Sequence, residues 1–286
     1  MCDQNHFEAD AKEYAAKGGV TRREFGAFVG AGVVMMLPRV ANAVSVTEAE
    51  VNVVTPDGTA DCYFVHPASG AAAGVLIWPD IMGLRPAFRQ MGKRLAESGY
   101  SVLVVNPFYR QKKGAVIQPG ESFNNPAVRD RLIPMMQALT PAMHTTDGKA
   151  FVAWLDRQSS VSKTRKIGTM GYCMGGPMTF RTAAASDRVG AVGSFHGGGL
   201  VTGPDSPHLA AAKTKAQFLI AIAENDDMRA PNEKNVLKQT FGTAAEVEVY
   251  AGAAHGWCPP DSAVYNEPQA ERAWTRLTAL FGKALA

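Results

Sequence analysis

At 286 residues, the chain is too long for a disulfide mini-protein and suits one large α/β domain or two small ones. With 46% hydrophobic and 19% charged residues, it can bury a sizeable core and is not a disordered polymer. A net charge of +3, with no dense basic block beyond the N-terminus, argues against a dedicated nucleic-acid binder, and 8% aromatics do not suggest a base-stacking platform.

The N-terminus reads as an export signal. Arg22-Arg23 precede a weakly apolar run from Gly26 to Leu37, whose 12 residues are too few to span a bilayer but suit a signal h-region. Ala41-Asn42-Ala43 then supplies a small-x-small cleavage pattern. The order resembles a twin-arginine signal, which implies the twin-arginine export machinery as a partner and an exported, periplasmic location. A buried helix of the domain itself is the competing account. Residues 1–43 are therefore set apart from a single domain over 44–286. Removing them leaves Cys62, Cys173 and Cys258, an odd number, and an oxidising compartment would permit a Cys62–Cys258 bridge.

From Val44 onward, strand and helix patterns alternate. Val51–Val54 and Cys62–Val65 flank the turn Thr55-Pro56-Asp57-Gly58 and predict a hairpin. The apolar runs Ala73–Trp78 and Ser101–Val105 predict buried strands around a helix over Phe88–Ser98. Residues 107–127 read as a long loop, and Thr146–Gln158 as a helix. A strand over Lys166–Met170 leads into a helix over 177–185. Strands follow at Val189–Phe195, Ala216–Ala223 and Ala245–Tyr250, with helices over Pro231–Phe241 and Pro268–Ala284. Such alternation implies a doubly wound, mostly parallel sheet with helices on both faces.

Between the strand and helix near residue 170 stands Gly171-Tyr172-Cys173-Met174-Gly175, a nucleophile-elbow pattern with Cys in place of Ser. A sharp strand-to-helix turn crowds the nucleophile's neighbours, so glycines two before and two after relieve Cβ clashes. The thiol then lies at a helix N-terminus, where the macrodipole favours thiolate, and the Met174 N–H points where an oxyanion would form. A structural Cys in a Gly-rich turn is the bland alternative. Further along, Glu224-Asn225-Asp226-Asp227 and Ala254-His255-Gly256 each follow a predicted strand, where open α/β sheets place their ligands. Nucleophile, acid and base thus occur in the α/β-hydrolase order, with Asp227 54 residues after Cys173 and His255 28 residues after Asp227.

These residues resemble the dienelactone hydrolase (carboxymethylenebutenolidase-like) family of α/β-hydrolases. The likeness runs from about Val51 to Leu280. It rests on Gly171-Tyr172-Cys173-Met174-Gly175-Gly176, Trp78–Leu84, Asn106–Arg110, Asp227 with Pro231 four later, and Ala254-His255-Gly256-Trp257. The resemblance implies a Cys173–His255–Asp227 triad, in which Cys173 attacks an ester or lactone carbonyl to form an acyl-enzyme. It implies an oxyanion hole from the N–H groups of Met174 and Ile81. It puts Asp80 where the family has a Glu that takes the thiol proton, with a capping role as the alternative. Arg110 matches a family arginine that binds the substrate carboxylate. A second family arginine, expected after the catalytic His, is absent from Trp257-Cys258-Pro259-Pro260. Trp257 is expected as a pocket wall or a packing residue, and His196-Gly197-Gly198-Gly199 as a site lining or a flexible turn. No metal or organic cofactor is required by this chemistry. A thiol-based redox sensor and a non-catalytic ligand-binding protein on the same fold remain alternatives to the hydrolase.

Overall fold

A computed structural model describes residues 36–286. The paired arginines and most of the expected apolar run lie outside the described residues. Ala41-Asn42-Ala43 is described and forms an exposed turn, with Asn42 at φ 57°.

Eight strands form one sheet: β1 (Val46–Thr55), β2 (Gly58–Pro67), β3 (Ala73–Trp78), β4 (Tyr100–Val105), β5 (Ile167–Tyr172), β6 (Val189–Phe195), β7 (Gln217–Ala223) and β8 (Ala245–Tyr250). Their spatial order is β1-β2-β4-β3-β5-β6-β7-β8. Only the β1–β2 and β2–β4 pairings are antiparallel; every other pair is parallel. The chain winds outward from β3 to β4 and then crosses back to β5 on the other side of β3. The C-terminal ends of β3 and β5 therefore flank the point where strand order reverses, the place where such sheets form a crevice.

The helices are α1 (Pro86–Glu97), α2 (Pro126–Gln137), α3 (Pro141–Arg157), α4 (Gly175–Ala185), α5 (Pro207–Ala211), α6 (Glu224–Arg229), α7 (Glu233–Phe241) and α8 (Glu267–Ala284). Two cores result, one on each face of the sheet. Leu76 and Trp78 of β3 join Phe151 of α3 and Phe180 of α4 on one face. Val75 and Ile77 join Phe88 of α1 and Leu277 and Phe281 of α8 on the other. The period-2 alternation of a strand explains this division, since successive side chains point to opposite faces. Both faces being covered, β3, β4 and β5 are buried along their whole length, as their unbroken apolar runs require.

The expected elements stand, with extensions. β1 is ten residues where the pattern marked four, because Val46–Glu50 continue pairing with Val65–Pro67 and their neighbours along the hairpin. α2 lies just past the expected long loop, opening on Pro126 with the Asn125 side chain accepting from the Ala127 N–H at 3.0 Å. Only Val128, Arg129 and Leu132 of it are buried, so its apolar stripe is too thin to show as a period. α3 starts at Pro141, capped by Thr140, five residues before the expected start. The open question of a Cys62–Cys258 bridge is answered by the sheet itself: Cys62 lies in the core of one face and Cys258 in that of the other, and Cys62, Cys173 and Cys258 are all buried thiols. Among the described residues, no helix is long and apolar enough to cross a membrane.

Candidate active site

Cys173 stands one residue past β5 and two before α4, at φ 53°, a left-handed conformation for a side chain other than glycine. Such a conformation costs about 1–3 kcal/mol and persists only where the surroundings over-determine it. Two glycines supply the space. A Cβ on Gly171 would fall onto the carbonyl of Gly175, and one on Gly175 would fall onto the carbonyl of Trp78 and within 2.8 Å of that of Pro79. The end of β5, the start of α4 and the end of β3 thus touch backbone to backbone around the thiol. The ladder continues through the turn: the Cys173 N–H donates to Phe195 O at 3.1 Å, and the His196 N–H to Ala221 O at 2.8 Å. Cys173 retains 5% exposure. Met174 is the N-cap of α4, so the start of a helix lies immediately beyond the sulfur. The other two thiols have no such setting. Burial raises the pKa of both Cys62 and Cys258, which keeps them protonated and unreactive.

The loop after β8 carries His255, and three consecutive residues of the loop–helix after β7 hold it. The Glu224 N–H donates to Ala253 O at 2.9 Å, the His255 N–H to Asn225 Oδ1 at 2.9 Å, and His255 Nδ1 lies 2.7 Å from Asp226 Oδ2. Asp226, not Asp227, is therefore the carboxylate on the imidazole. Asp227 instead faces Lys234, whose Nζ lies 2.7 and 2.6 Å from its two oxygens. The physical reason is helical: 224–229 form α6, which was not expected from the sequence, and adjacent residues of a helix do not share a face. With Nδ1 engaged by the Asp226 carboxyl group, Nε2 is the ring nitrogen placed for proton transfer.

Behind His255 lies His196, also at positive φ (41°), its ring centroid 5.0 Å from that of His255. Burial, and secondarily His255, hold its pKa well below the ordinary imidazole value, so it is neutral. Its motif, His196-Gly197-Gly198-Gly199, was visible in the sequence, but nothing there distinguished a packed ring from a flexible turn. Trp257 is wholly buried, 5.0 Å from His196 and stacked on Tyr250 at 5.3 Å. It is a core residue supporting the His255 loop, not a wall that a substrate could touch.

Two expected substrate contacts are already occupied. Asp80, just past β3, accepts from the Met82 N–H at 2.9 Å and is gripped by Arg85, whose Nη1 and Nη2 lie 2.6 and 3.0 Å from its two oxygens. It therefore caps its turn and anchors an arginine. Arg85 also reaches across to Asp261, with Nε at 2.6 Å from Oδ2 and Nη2 at 2.9 Å from Oδ1. This ties the loop carrying Ile81 to the loop carrying His255. Neither Arg85 nor Asp261 stood out in the sequence, because the two lie 176 residues apart. Arg110 sits at the hairpin edge of the sheet. It is paired through Nη1 and Nη2 with both oxygens of Asp147, each at 2.7 Å, and with Asp57 at 2.6 Å. It clamps α3 to the β1–β2 turn. Among the described residues, no group of His, Cys, Asp or Glu gathers in a way that could hold a metal ion.

The chain has counterparts among known proteins. Residues 60–285 match the family model described as the dienelactone hydrolase family. The carboxymethylenebutenolidase of Rhodococcus opacus is 25% identical over 242 residues, covering 80% of this chain and 88% of that protein. The dienelactone hydrolase of Anabaena variabilis superposes with a TM-score of 0.62 at 19% identity, covering 84% of this chain and 99% of that one. The dienelactone hydrolase-like promiscuous phosphotriesterase P91, from metagenomic libraries, superposes with a TM-score of 0.68 at 19% identity, covering 85% and 100%. These likenesses give the fold as that of the α/β-hydrolases.

Proposed function

The chain belongs to the dienelactone hydrolase family, and within this group of hydrolases we propose that it cleaves a carboxylic ester or lactone through Cys173, His255 and Asp226. The observations that support the reading are a strained, glycine-walled Cys173 at the start of α4 and, on the loop after β8, an imidazole whose Nδ1 lies 2.7 Å from a carboxylate oxygen. The thiolate of Cys173 attacks the carbonyl carbon and forms a C–S bond. The C–O bond to the leaving group breaks, and His255 Nε2–H supplies the proton that the leaving oxygen takes. Water then attacks the thioester while His255 takes its proton. The C–S bond breaks, and the acid departs as thiolate is restored. The N–H groups of Met174, which follows the sulfur, and Ile81, two residues past the Pro79 carbonyl that packs on Gly175, are assigned to the oxyanion. Asp226 orients the imidazole and stabilises its charged form.

Turnover of small activated esters tests the assignment. Cys173→Ala is expected to fall to the uncatalysed rate, and undiminished turnover would refute it. Export belongs to the same reading. It is supported by Arg22-Arg23, the short apolar run, and the exposed turn at Ala41-Asn42-Ala43. N-terminal sequencing of the protein recovered from its host is expected to start at Val44. An intact Met1 would contradict cleavage there.

A further inference from the structure

We infer that the site selects uncharged esters and lactones over those bearing a carboxylate, an inference that rests on the hydrolase reading above. A substrate carboxylate needs a cation with donors to spare. Arg85, on the loop after β3, has none. Its five N–H donors go to Asp80 Oδ1 and Oδ2, Gly83 O, and Asp261 Oδ1 and Oδ2, and it is 2% exposed. Arg110 is held by both oxygens of the buried Asp147 and by Asp57. Lys234 is held by both oxygens of Asp227, and Arg229 lies 3.3 Å from Asp226 Oδ1. Arg85, Arg110, Lys234 and Arg229 thus each already have an internal carboxylate.

The remaining balance is negative. Asp80 is joined to the elbow through the Trp78 and Pro79 carbonyls that pack on Gly175, Asp261 is joined to it through Arg85, and Asp226 through His255. Those three carboxylates face two guanidiniums, Arg85 and Arg229. Forming the thiolate moves a proton onto His255 and leaves that balance unchanged. An anionic acyl chain would enter this field without a counter-ion and would have to displace Asp80, Asp261 or Asp147 from an arginine. Each displacement leaves a largely buried carboxylate unpaired. A neutral acyl chain meets neither cost.

Two esters with one acyl chain isolate the charge: methyl p-nitrophenyl adipate and mono-p-nitrophenyl adipate, each corrected for the rate with Cys173→Ala. At low salt, kcat/KM for the methyl ester is expected to exceed that for the anion by at least about tenfold. The ratio should shrink toward 1 M salt, where the Debye length falls to about 3 Å. Asp261→Asn, which releases Nε and Nη2 of Arg85, is expected to lower the ratio. The salt series on the wild-type protein carries the test if that variant does not fold. Equal or faster turnover of the anion would overturn the inference and leave the hydrolase standing. Turnover of neither ester above the Cys173→Ala rate would overturn both.

Discussion

The C-terminal ends of β5 and β4 each carry a residue that the family pattern marks for chemistry, and they are built in opposite ways. At the end of β5, Cys173 is positioned by backbone: glycines at 171 and 175 admit neighbouring carbonyls, and the chain can turn only one way. At the end of β4, Arg110 is positioned by side chains, Asp147 from α3 and Asp57 from the hairpin turn. The first arrangement fixes the reactive residue through backbone contacts, whereas the second ties its residue into carboxylate pairs. A shared motif therefore carries a role from one protein to another more safely where the backbone enforces it than where a salt bridge can absorb it.

Substitutions can sharpen that contrast, beginning with the acid. Asp226→Asn keeps the shape of the side chain but presents the wrong hydrogen-bonding edge to His255 Nδ1, and kcat is expected to fall by about 10²–10⁴-fold. Asp227→Asn removes only the pairing with Lys234 and is expected to stay within about threefold. Equal losses from the two would break the assignment of Asp226.

Backbone enforcement makes the next effect one of folding. Gly175→Ala places a methyl group against the carbonyl of Trp78, and overpacking of this kind costs about 1–3 kcal/mol or more. A lowered Tm with loss of ester turnover is expected; a silent substitution would mean that the strand-to-helix turn is not held as described.

At β4 the expectation inverts. Arg110→Met leaves the buried Asp147 with only the Tyr109 hydroxyl and should destabilise by about 1–3 kcal/mol. The KM for an ester with a free carboxylate should nevertheless stay unchanged. A raised KM with an unchanged Tm would restore Arg110 to a substrate-binding role.

The smallest effect is a slope. Burial first, with Arg181 and Arg110 adding, pushes the His144 pKa down to about 4, and burial lowers that of His196 as well. Below an ordinary value near 6.5, the unfolded chain binds a proton at each imidazole that the folded chain refuses. Stability present at neutral pH is therefore lost as pH falls from about 6.5 toward 4, with a slope of at most about 2.7 kcal/mol per pH unit for two protons. Tm measured across that range should fall with acid, and His144→Leu should flatten the curve.

The same division explains what could be read from the sequence. Parallel strands announced themselves as apolar runs, because both faces of β3, β4 and β5 are buried, and the elbow announced itself through its glycines. The choice between Asp226 and Asp227 was hidden, since it turns on a six-residue helix whose existence no periodicity marks. The Asp80–Arg85–Asp261 bridge was hidden because its partners meet only after the sheet has wound, and α2 because its buried stripe is three residues wide. The twin-arginine segment lies outside the described residues, so the reading of export rests on sequence.

Peptide mapping by mass spectrometry after a millisecond quench with an activated ester tests the central claim most directly. The account predicts one acyl group, on Cys173, which accumulates further when Asp226→Asn slows its hydrolysis. An acyl group on any other residue, or ester turnover by the wild type with Cys173 unmodified throughout, would contradict it.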